Sequence, residues 1–528
     1  QPDIYEDFYR CTTTRWLYNE DKQLALRYVK FNVPELQKVA TDAVGARACL
    51  SMEPIREGSY NKMFLLTFDN GREAIARIPC PIAGPAHLTV ASEVATLDFA
   101  RTRLKLSVPK VLAWSSRVSK ATYNVGAEYI IMEKIPGIPL ADRWDGIQGP
   151  QTLYPTISAV VDIEKKFSAV RFSQIGSLYI KEDVEPHLQQ RRLYAADVPD
   201  DESSEKYRVG PTLQRVFWRG ERMDMDLDRG PWPDTLSYAR ALVQCEQQWI
   251  KTYARPRSSD DPFRVSDEEE SLSMHLELLN NFMSTVPSVI PDSEANDLVL
   301  WHTDLHDGNV IVHPETLAIN GLVDWQHLWI GPRFLRATFS RIFAYERGKV
   351  DLNATPVLPP NLKELPVEEQ AEIKLQYNLA ARHMLYLGAV KKADPLHYRI
   401  LTKAYFRVLV ILFITASRSW SDTSTALRHP LMQFSVNWTD WLGPDVPCPL
   451  SFTDDEIETH QLRYEQAQRY LYSGQILSEA LEIGPDGSVN PEHYEDRKAA
   501  AERARAVWDD EESGGRYPLQ DGGWSSLF

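Results

Sequence analysis

One motif constrains this chain more than any other feature: the run Trp301 to Val312, WHTDLHDGNVIV, followed by GLVDWQ at Gly321 to Gln326. Asp304 comes before a short apolar run, and Asp324 ends the next one, after the turn His313 to Glu315. Two short apolar runs joined by a turn predict a β-hairpin. This hairpin would bring Asp304 and Asp324, which are twenty residues apart, to the same end.

The residue types around this hairpin suit the transfer of a phosphoryl group from ATP. That reaction needs a base that orients the acceptor, and oxygen ligands for Mg²⁺ between the β- and γ-phosphates. Asp304 is the candidate base, and His302 is a second candidate catalytic residue. Asn309 and Asp324 are the candidate metal ligands. An ordinary turn also favours Asp304, Asp307 and Asn309. It does not require His302, or an Asp-Trp after the next strand, so the functional interpretation is preferred.

This motif, H-x-D-x4-N followed by two apolar residues and Asp-Trp-Gln, resembles that of the aminoglycoside phosphotransferase and choline kinase superfamily. The resemblance runs from about Met52 through at least Pro332, with weaker matching in the C-terminal helices. It is closest to fungal phosphotransferase enzyme family proteins, including the mitochondrial group named for altered inheritance of mitochondria. Asp324-Trp325-Gln326 stands where protein kinases carry Asp-Phe-Gly, and no Ala-Pro-Glu segment follows, which disfavours a protein kinase.

The resemblance implies an α+β, protein-kinase-like fold of two lobes. The small N-lobe would be rich in β-strands, and the large C-lobe would be mostly helical, with insertions. We expect an N-terminal helical extension over residues 1–51, the N-lobe over 52–135, the C-lobe over 136–507 and a C-terminal arm over 508–528. The C-lobe would contain the catalytic loop 301–326 and an insertion at about 200–235.

The chain before the motif independently predicts a nucleotide site. Candidate strands over Lys62 to Phe68 and Glu73 to Ile78 are joined at Asn70-Gly71, which is a strong hairpin signal. The turn Glu57 to Asn61 precedes them, and its backbone N–H groups could cover phosphates. A single glycine alone indicates an ordinary hairpin turn. The position of this turn directly before the strand that starts at Lys62 favours phosphate binding. The candidate residues in it are Gly58, Ser59 and Asn61.

Further nucleotide contacts follow from the resemblance. Arg77 ends the second strand, where a kinase carries the basic residue that grips the α- and β-phosphates. A guanidinium there is a planar fork, unlike the compact ammonium of lysine. Glu93, on a helix predicted over Leu88 to Leu104, would pair with Arg77, and a mere surface ion pair is the alternative. The strand Tyr129 to Met132 would lead into the hinge, whose adenine contacts are implied to be Met132, Glu133 and Ile135.

Composition narrows the classes of function. At 528 residues the chain exceeds the usual size of a single core. Its net charge of −16 argues against direct binding of nucleic acid. Its 5 cysteines include no C-x-x-C pair, which favours a reducing compartment. The most apolar run, Val408 to Ile414, is too short for a membrane span.

Helix-spaced apolar residues predict that most of the C-lobe is helical. The predicted helices are Thr156 to Val170, Tyr238 to Tyr253, Leu272 to Val286, Glu368 to Ala389, Tyr398 to Ala416 and Asp455 to Leu477. Residues 210–232 form an aromatic and charged segment, for which a substrate lid or partner-binding loop and a structural insertion are equally favoured. The arm would be extended, with Trp524 and Phe528 available for docking. A protein partner would bind through segment 210–232 or through the arm.

The sequence therefore predicts an ATP- and Mg²⁺-dependent phosphotransferase that acts on a hydroxyl group of a small molecule. The alternative is a non-catalytic member that serves as a scaffold or subunit of a larger, mitochondrial assembly. Arg77 in place of lysine, the single glycine of the turn Glu57 to Asn61 and the insertions are compatible with that alternative. The resemblance implies the mitochondrial matrix, with the cytoplasm as the alternative, and a start at Gln1 is compatible with a removed or omitted leader.

Overall fold

The computed structural model of the protein describes residues 4–55, 58–118, 124–147, 150–257, 271–302, 304–345, 350, 354–484 and 486–520. It confirms the predicted α+β fold with a β-rich N-lobe and a large helical C-lobe. Glu57 of the candidate phosphate loop and the aromatic residues Trp524 and Phe528, named in the sequence analysis, lie outside the described residues.

Strands dominate the N-terminal part of the described chain, and helices dominate the remainder. The strands are β1 (Arg15–Trp16), β2 (Cys49–Pro54), β3 (Asn61–Phe68), β4 (Glu73–Pro79), β5 (Val111–Ser115), β6 (Tyr129–Glu133), β7 (Ile138–Pro139), β8 (Ser177–Ile180), β9 (Tyr207–Gly210), β10 (Leu298–Leu300), β11 (Val310–Val312), β12 (Ile319–Leu322), β13 (Ile330–Pro332) and β14 (Ser488–Val489). The helices are α1 (Glu6–Tyr9), α2 (Glu20–Leu26), α3 (Val33–Val44), α4 (Leu88–Thr102), α5 (Pro150–Ser168), α6 (Glu202–Lys206), α7 (Thr235–Tyr253), α8 (Leu272–Val289), α9 (Arg333–Arg336), α10 (Val367–Ala393), α11 (Pro395–Thr402), α12 (Ala404–Ala416), α13 (Ser419–Asp422), α14 (Ser424–Leu442), α15 (Asp454–Leu481), α16 (Tyr494–Ala506) and α17 (Asp510–Ser513).

The N-lobe is an antiparallel sheet with the strand order β2-β3-β4-β6-β5. The predicted hairpin forms between β3 and β4, and Gly71 at its turn has φ of 75°, a left-handed conformation that glycine adopts without steric cost. Helix α4 packs on the sheet through Val90 and Val94, which contact Ile130 and Met132 of β6. This packing fixes α4 relative to the strand that leads into the hinge.

The N-terminal extension is part of the N-lobe and not a separate helical unit. Helix α3 buries Leu36, Val39 and Ala40 in one core with Phe64 and Leu66 of β3. Strand β2 begins three residues before the predicted boundary at 51/52, and β1 pairs with β14 near the C-terminus. The helix and the sheet thus share one core across the predicted boundary at 51/52, because apolar residues of α3 cover a sheet face that would otherwise be exposed to water.

The C-lobe has two large hydrophobic cores. One joins α5 and α10 to strands β11 and β12, and the other joins α7, α8, α12 and α14. Most of the predicted helices are present with shifted ends, but Tyr398 to Ala416 is two helices, α11 and α12. Lys403 between them has an extended backbone, φ −77° and ψ 129°, which ends α11 and redirects α12 into the second core. Among the described residues, no helix combines the length and apolar character that a membrane crossing requires.

The hairpin predicted at the motif forms between β11 and β12, with Val310 opposite Leu322. Strand β7, just after the hinge, adds to the free edge of β11 and ties the hairpin to the segment between the lobes. Gly137 allows this approach, because a Cβ atom there would lie 2.4 Å from the carbonyl oxygen of Val312. The hairpin is thus held close to the N-lobe.

Segment 210–232 and the described part of the C-terminal arm both pack against the body of the protein. Phe217 and Trp232 of the segment are buried in the second core of the C-lobe. The arm forms the short helix α17, and its Tyr517 and Leu519 are buried beside Tyr18. The predicted extended arm is therefore wrong as far as Gln520, because these apolar side chains cover the β1–β14 region.

Candidate active site

The loop before β11 is held in place by a buried histidine. The Nε2 atom of His302 lies 3.1 Å from the carbonyl oxygen of Val323, and its Nδ1 atom accepts the backbone N–H of Asp304 at 3.3 Å. Burial lowers the pKa of His302, which favours the neutral ring that this one-donor, one-acceptor arrangement requires. Both ring nitrogens are engaged by the backbone, so His302 is a positioning residue. That it is also catalytic stays a prediction.

Asn309 and Asp324 are brought together by the hairpin. The backbone N–H of Val323 donates to the carbonyl oxygen of Asn309 at 3.0 Å, so the two segments are adjacent. The side-chain Nδ2 of Asn309 donates to the carbonyl oxygen of Asp304 at 2.9 Å, which fixes the orientation of the amide. Asp324 has φ of 62°, a left-handed conformation that is strained for a residue with a side chain. Such strain is typical of functional sites.

The carboxylate of Asp304 is half-exposed and faces basic groups. Its Oδ1 atom accepts a hydrogen bond from Nη1 of Arg341 at 2.9 Å, and its Oδ2 atom lies 3.7 Å from Nε2 of His306. A hydrogen bond with Asp307 raises the pKa of His306, and the same bond lowers the pKa of Asp307. Asp307 also accepts the indole N–H of Trp144. This network holds the loop without covering Asp304.

Arg77 is buried at the centre of a network that joins the two lobes. One of its terminal nitrogens, Nη1, pairs with Glu93 of α4, and the other, Nη2, lies 3.0 Å from Asp324 and 2.5 Å from Oε1 of Gln326. Asn61 donates to the same Gln326 oxygen at 2.6 Å. Burial raises the pKa of Glu93 to about 7, against the lowering effect of Arg77. The predicted Arg77–Glu93 pair is confirmed, and the surface-pair alternative is wrong.

The candidate hinge follows β6. Met132 is buried between the sheet and α4, and the backbone N–H of Glu133 donates to the carbonyl oxygen of Lys110 at 2.9 Å. Ile135 packs against Gly321 of β12, where a Cβ atom would lie 3.1 Å from its side chain. The candidate hinge and the β11–β12 hairpin are therefore in contact.

The candidate phosphate loop, Glu57 to Asn61, has exposed residues where the structure describes it. Gly58 and Ser59 are exposed, and a Cβ atom at Gly58 would meet no heavy atom within 4 Å. Tyr60, the next residue, is less exposed and contacts Arg215. Its hydroxyl contacts Nη1 of Arg215, and the Arg215 guanidinium stacks over its ring at 4.5 Å. The phosphate loop thus contacts segment 210–232.

Two cavities meet beside the phosphate loop. The inner cavity, of about 490 Å³, is lined by both Asp304 and Asp324. The outer cavity, of about 1050 Å³, lies between the N-lobe, segment 210–232 and the C-terminal region. Residues that line both are Tyr60, Arg215 and His327. The sequence analysis did not identify Arg215 as a site residue, although the charged and aromatic composition of its segment is a signal that could have found it.

These features define a two-lobed, kinase-like fold with a phosphotransferase motif at the junction of its lobes. The model of the phosphotransferase enzyme family matches residues 51–335, which is more than half of the chain. The protein therefore belongs to the phosphotransferase enzyme family, and the resemblance inferred from the motif is confirmed.

Individual relatives extend this similarity. The chain is 29% identical over 479 residues to a subtelomeric hrmA-associated cluster protein of Aspergillus fumigatus, covering 85% of this chain and 91% of that protein. It is 24% identical over 477 residues to altered inheritance of mitochondria protein 9, mitochondrial, of Candida albicans, covering 84% of this chain and 73% of that protein. A solved macrolide 2'-phosphotransferase type I has 15% identity and a TM-score of 0.31, covering 77% of this chain and 98% of that one. The fungal similarity thus extends well beyond residues 51–335.

Proposed function

We propose that the protein is an ATP- and Mg²⁺-dependent phosphotransferase that phosphorylates a hydroxyl group of a small molecule. The observation that carries this proposal is the gathering of Asp304, Asn309 and Asp324 at one end of the β11–β12 hairpin. Two of them, Asp304 and Asp324, line one cavity next to the phosphate loop. An acceptor in that cavity would lie between the candidate base and the candidate metal ligand.

The residues present fit Mg²⁺. Because Nδ2 of Asn309 donates to a backbone carbonyl, its Oδ1 atom is left as an oxygen donor, and the Asp324 side chain is 31% exposed. Mg²⁺ uses one or two protein oxygen ligands together with phosphates and water. Among the described residues, no group of three His, Cys, Asp or Glu side chains forms a metal cluster, so a zinc-type site is not supported. When bound, Mg²⁺ would neutralise charge between the β- and γ-phosphates.

Asp304 would act on the acceptor. Its carboxylate would accept a hydrogen bond from the acceptor hydroxyl, and receive the proton as the hydroxyl oxygen forms its bond to the γ-phosphorus. The bond from the γ-phosphorus to the β–γ bridging oxygen breaks in the same step, so ADP leaves. The guanidinium of Arg341 contacts the same carboxylate, with its Nη1 atom 2.9 Å from Oδ1.

The N-lobe residues would bind the nucleotide. The buried pair with Glu93 fixes the guanidinium of Arg77 where it can face the phosphates, and Gly58 and Ser59 would cover them through backbone N–H groups. At the hinge, the backbone N–H of Ile135 has no partner among the described residues, which leaves it for the adenine edge. The Glu133 carbonyl and the Met132 side chain would complete the adenine site. Asn61 would support it indirectly, through Gln326.

A scaffold in a mitochondrial assembly is the second candidate function. One observation favours it: Nη2 of Arg77 pairs with Asp324 at 3.0 Å and so occupies a carboxylate that a metal ion would need. A mitochondrial location is supported only by the names of relatives such as the Candida albicans protein. The acidic net charge remains unfavourable for direct binding of nucleic acid.

Thermal unfolding with and without Mg²⁺-ATP tests the proposal. A ligand at a hundredfold excess over Kd stabilises the folded state by about 2.7 kcal/mol, so the melting temperature should rise by degrees. Asp324→Ala should reduce the shift. Asp445→Ala, an exposed aspartate after α14, is the matched control and should retain it. If millimolar Mg²⁺-ATP shifts neither the wild type nor the control, and neither consumes ATP, the scaffold is the better assignment.

A further inference from the structure

We infer that the phosphate acceptor is an anionic small molecule, whose acidic group binds a cluster of arginines that joins the outer cavity to the inner one. This inference rests on the proposed phosphotransferase function, because it names the class of substrate for the same site. It follows from the charges in the two cavities, which differ in sign from the chain as a whole.

The outer cavity is basic although the net charge of the chain is −16. Two acidic side chains line it, and both already accept hydrogen bonds: Asp486 from Trp16 at 3.0 Å and Glu221 from Trp249 at 3.1 Å. Six basic side chains line it, namely Lys22, Arg27, Arg215, Arg219, Arg255 and Arg257. A concave surface with this excess of positive charge attracts anions.

Three of these arginines, Arg27, Arg215 and Arg219, form the centre of the cluster. Their side chains contact neutral groups: Arg27 donates to Gln23, Arg215 to the hydroxyl of Tyr60, and Arg219 to the hydroxyl of Ser421. None of the three forms an ion pair with a carboxylate of the described residues. Burial, followed by the repulsion of Arg219 and Arg27, lowers the pKa of Arg215 to about 10. A bound anion would offset the cost of holding these cations together.

The inner cavity contains an independent indication of an anion. Arg336 lines it, is only 7% exposed, and stacks over the Trp329 ring at 4.3 Å. Its Nη2 atom donates to the carbonyl oxygen of Trp301 at 3.3 Å, whereas its Nε atom is buried without a hydrogen-bond partner among the described residues. It forms no ion pair within the described chain. A buried guanidinium with an unsatisfied donor is costly unless a ligand supplies the acceptor.

The two cavities share part of their lining. Arg215 lines both, so an acidic group bound by its guanidinium would lie beside the cavity that Asp304 lines. The inner cavity also has apolar walls, including Val410 and Phe413, which suit an apolar or ring-shaped body. An acceptor bearing ammonium groups would meet like charges on entering, which disfavours cationic compounds. The structure therefore selects an acceptor by the sign of its charge.

The first test measures anion binding without catalysis. Inorganic pyrophosphate is titrated calorimetrically into the full chain in metal-free buffer. The double variant Arg215→Gln/Arg219→Gln should bind about tenfold or more weakly, because hydrogen bonds to charged groups are lost. Arg240→Gln, an exposed arginine on α7, is the matched control and should stay within about twofold of the wild type. Arg219→Lys keeps the positive charge and should lose less affinity for pyrophosphate than Arg219→Gln. This comparison of single variants keeps the test valid if the double variant misfolds.

The second test identifies the charge of the acceptor. Small molecules from a fungal extract are separated on an anion-exchange column, and ATP consumption is measured with each fraction. Activity in the retained fraction, reduced in the double variant, supports the inference. Activity in the unretained fraction overturns it and leaves the phosphotransferase proposal intact. Pyrophosphate binding that is equal in all variants overturns the inference as well. So does displacement of a fluorescent ADP analogue by pyrophosphate that depends on these arginines, because it would assign the cluster to the nucleotide. If no fraction supports ATP consumption and Mg²⁺-ATP does not bind, the proposed function fails, and the acceptor inference fails with it.

Discussion

Replacing His302 by alanine should reduce turnover far more than nucleotide binding. The histidine does not contact the inner cavity, but its two ring nitrogens connect the Asp304 loop to the end of β12. Its loss would free the loop to move relative to Asp324. A misplacement of about 1 Å at a reacting group costs about 10²-fold in rate. The nucleotide contacts of the N-lobe do not involve His302, so the KM for ATP should change little.

The stability cost of this substitution follows from the same contacts. The carbonyl oxygen of Val323 and the N–H of Asp304 would lose their partners, at about 1–2 kcal/mol each, since both bonds are only part-buried. The edge-on contact of the imidazole with Trp325, at 5.1 Å, contributes about 0.5–1.5 kcal/mol more. The free energy of unfolding should therefore fall by about 2.5–5.5 kcal/mol in total.

His302→Asn makes the test specific. An asparagine oxygen can accept the N–H two residues later, so this variant keeps the bond to Asp304 and loses the one to Val323. Urea unfolding and the initial rate of ADP release should rank wild type above asparagine and asparagine above alanine. The exposed His187→Ala is the control. An alanine variant that is destabilised as expected, yet turns over at the wild-type rate, would refute the positioning role.

Three further predictions concern the base, the metal ligands and a buried acid. Asp304→Asn should lower turnover by about 10²- to 10⁴-fold with Mg²⁺-ATP affinity retained in calorimetry, and a variant keeping more than about a tenth of the rate removes this role. Asp324→Ala should weaken Mg²⁺-ATP binding, and Asn309→Ala should do so more mildly, since a neutral amide contributes less. Unchanged calorimetric affinity in Asp324→Ala would contradict its assignment. Burial raises the pKa of Glu164 from 4.5 to about 8. Between about pH 4.5 and pH 8 the folded state holds a proton that the unfolded state has released. The free energy of unfolding of the wild type therefore falls as the pH rises through this range, by up to about 1.4 kcal/mol per pH unit. Glu164→Gln should flatten that dependence in urea titrations, and an equal slope in both proteins would contradict it.

Local patterns in the sequence predicted much of the fold and the centre of the site. The hairpin around Asp304 and Asp324 and the strands on either side of Gly71 could be predicted because alternating apolar runs and turn residues act over short distances. Helix α15 begins one residue before the predicted Asp455, and Thr453 caps it in a reciprocal arrangement with Glu456. In each case the residues that determine the structure are neighbours in sequence.

The cavities could not be predicted, because their walls come from distant segments. Arg27 of the N-terminal region, Arg219 of segment 210–232 and Trp420 of α13 line one space, and no pattern within any of the three indicates the others. Arg336 is similar: its burial beside Trp329 depends on the packing of α9 on the second core. An arginine without a carboxylate partner can be recognised only in the folded structure, where these segments come together.

The network around Arg77 gives a physical reason for arginine where the family resemblance leads one to expect lysine. The two terminal nitrogens of the guanidinium contact Glu93 on one side and Asp324 and Gln326 on the other, which a single ammonium on a flexible stem could not hold in the same planar arrangement. The contact with Asp324 makes Arg77 compete with a metal ion for this carboxylate. Two carboxylates share one guanidinium, so the pocket retains an excess of negative charge when both are ionised. With Mg²⁺ held by Asp324, Arg77 would keep its pair with Glu93 and exchange the Asp324 carboxylate for a phosphate as the partner of its second nitrogen. Arginine in this position is thus compatible with catalysis, and the enzyme and scaffold assignments differ in whether this exchange of partners occurs.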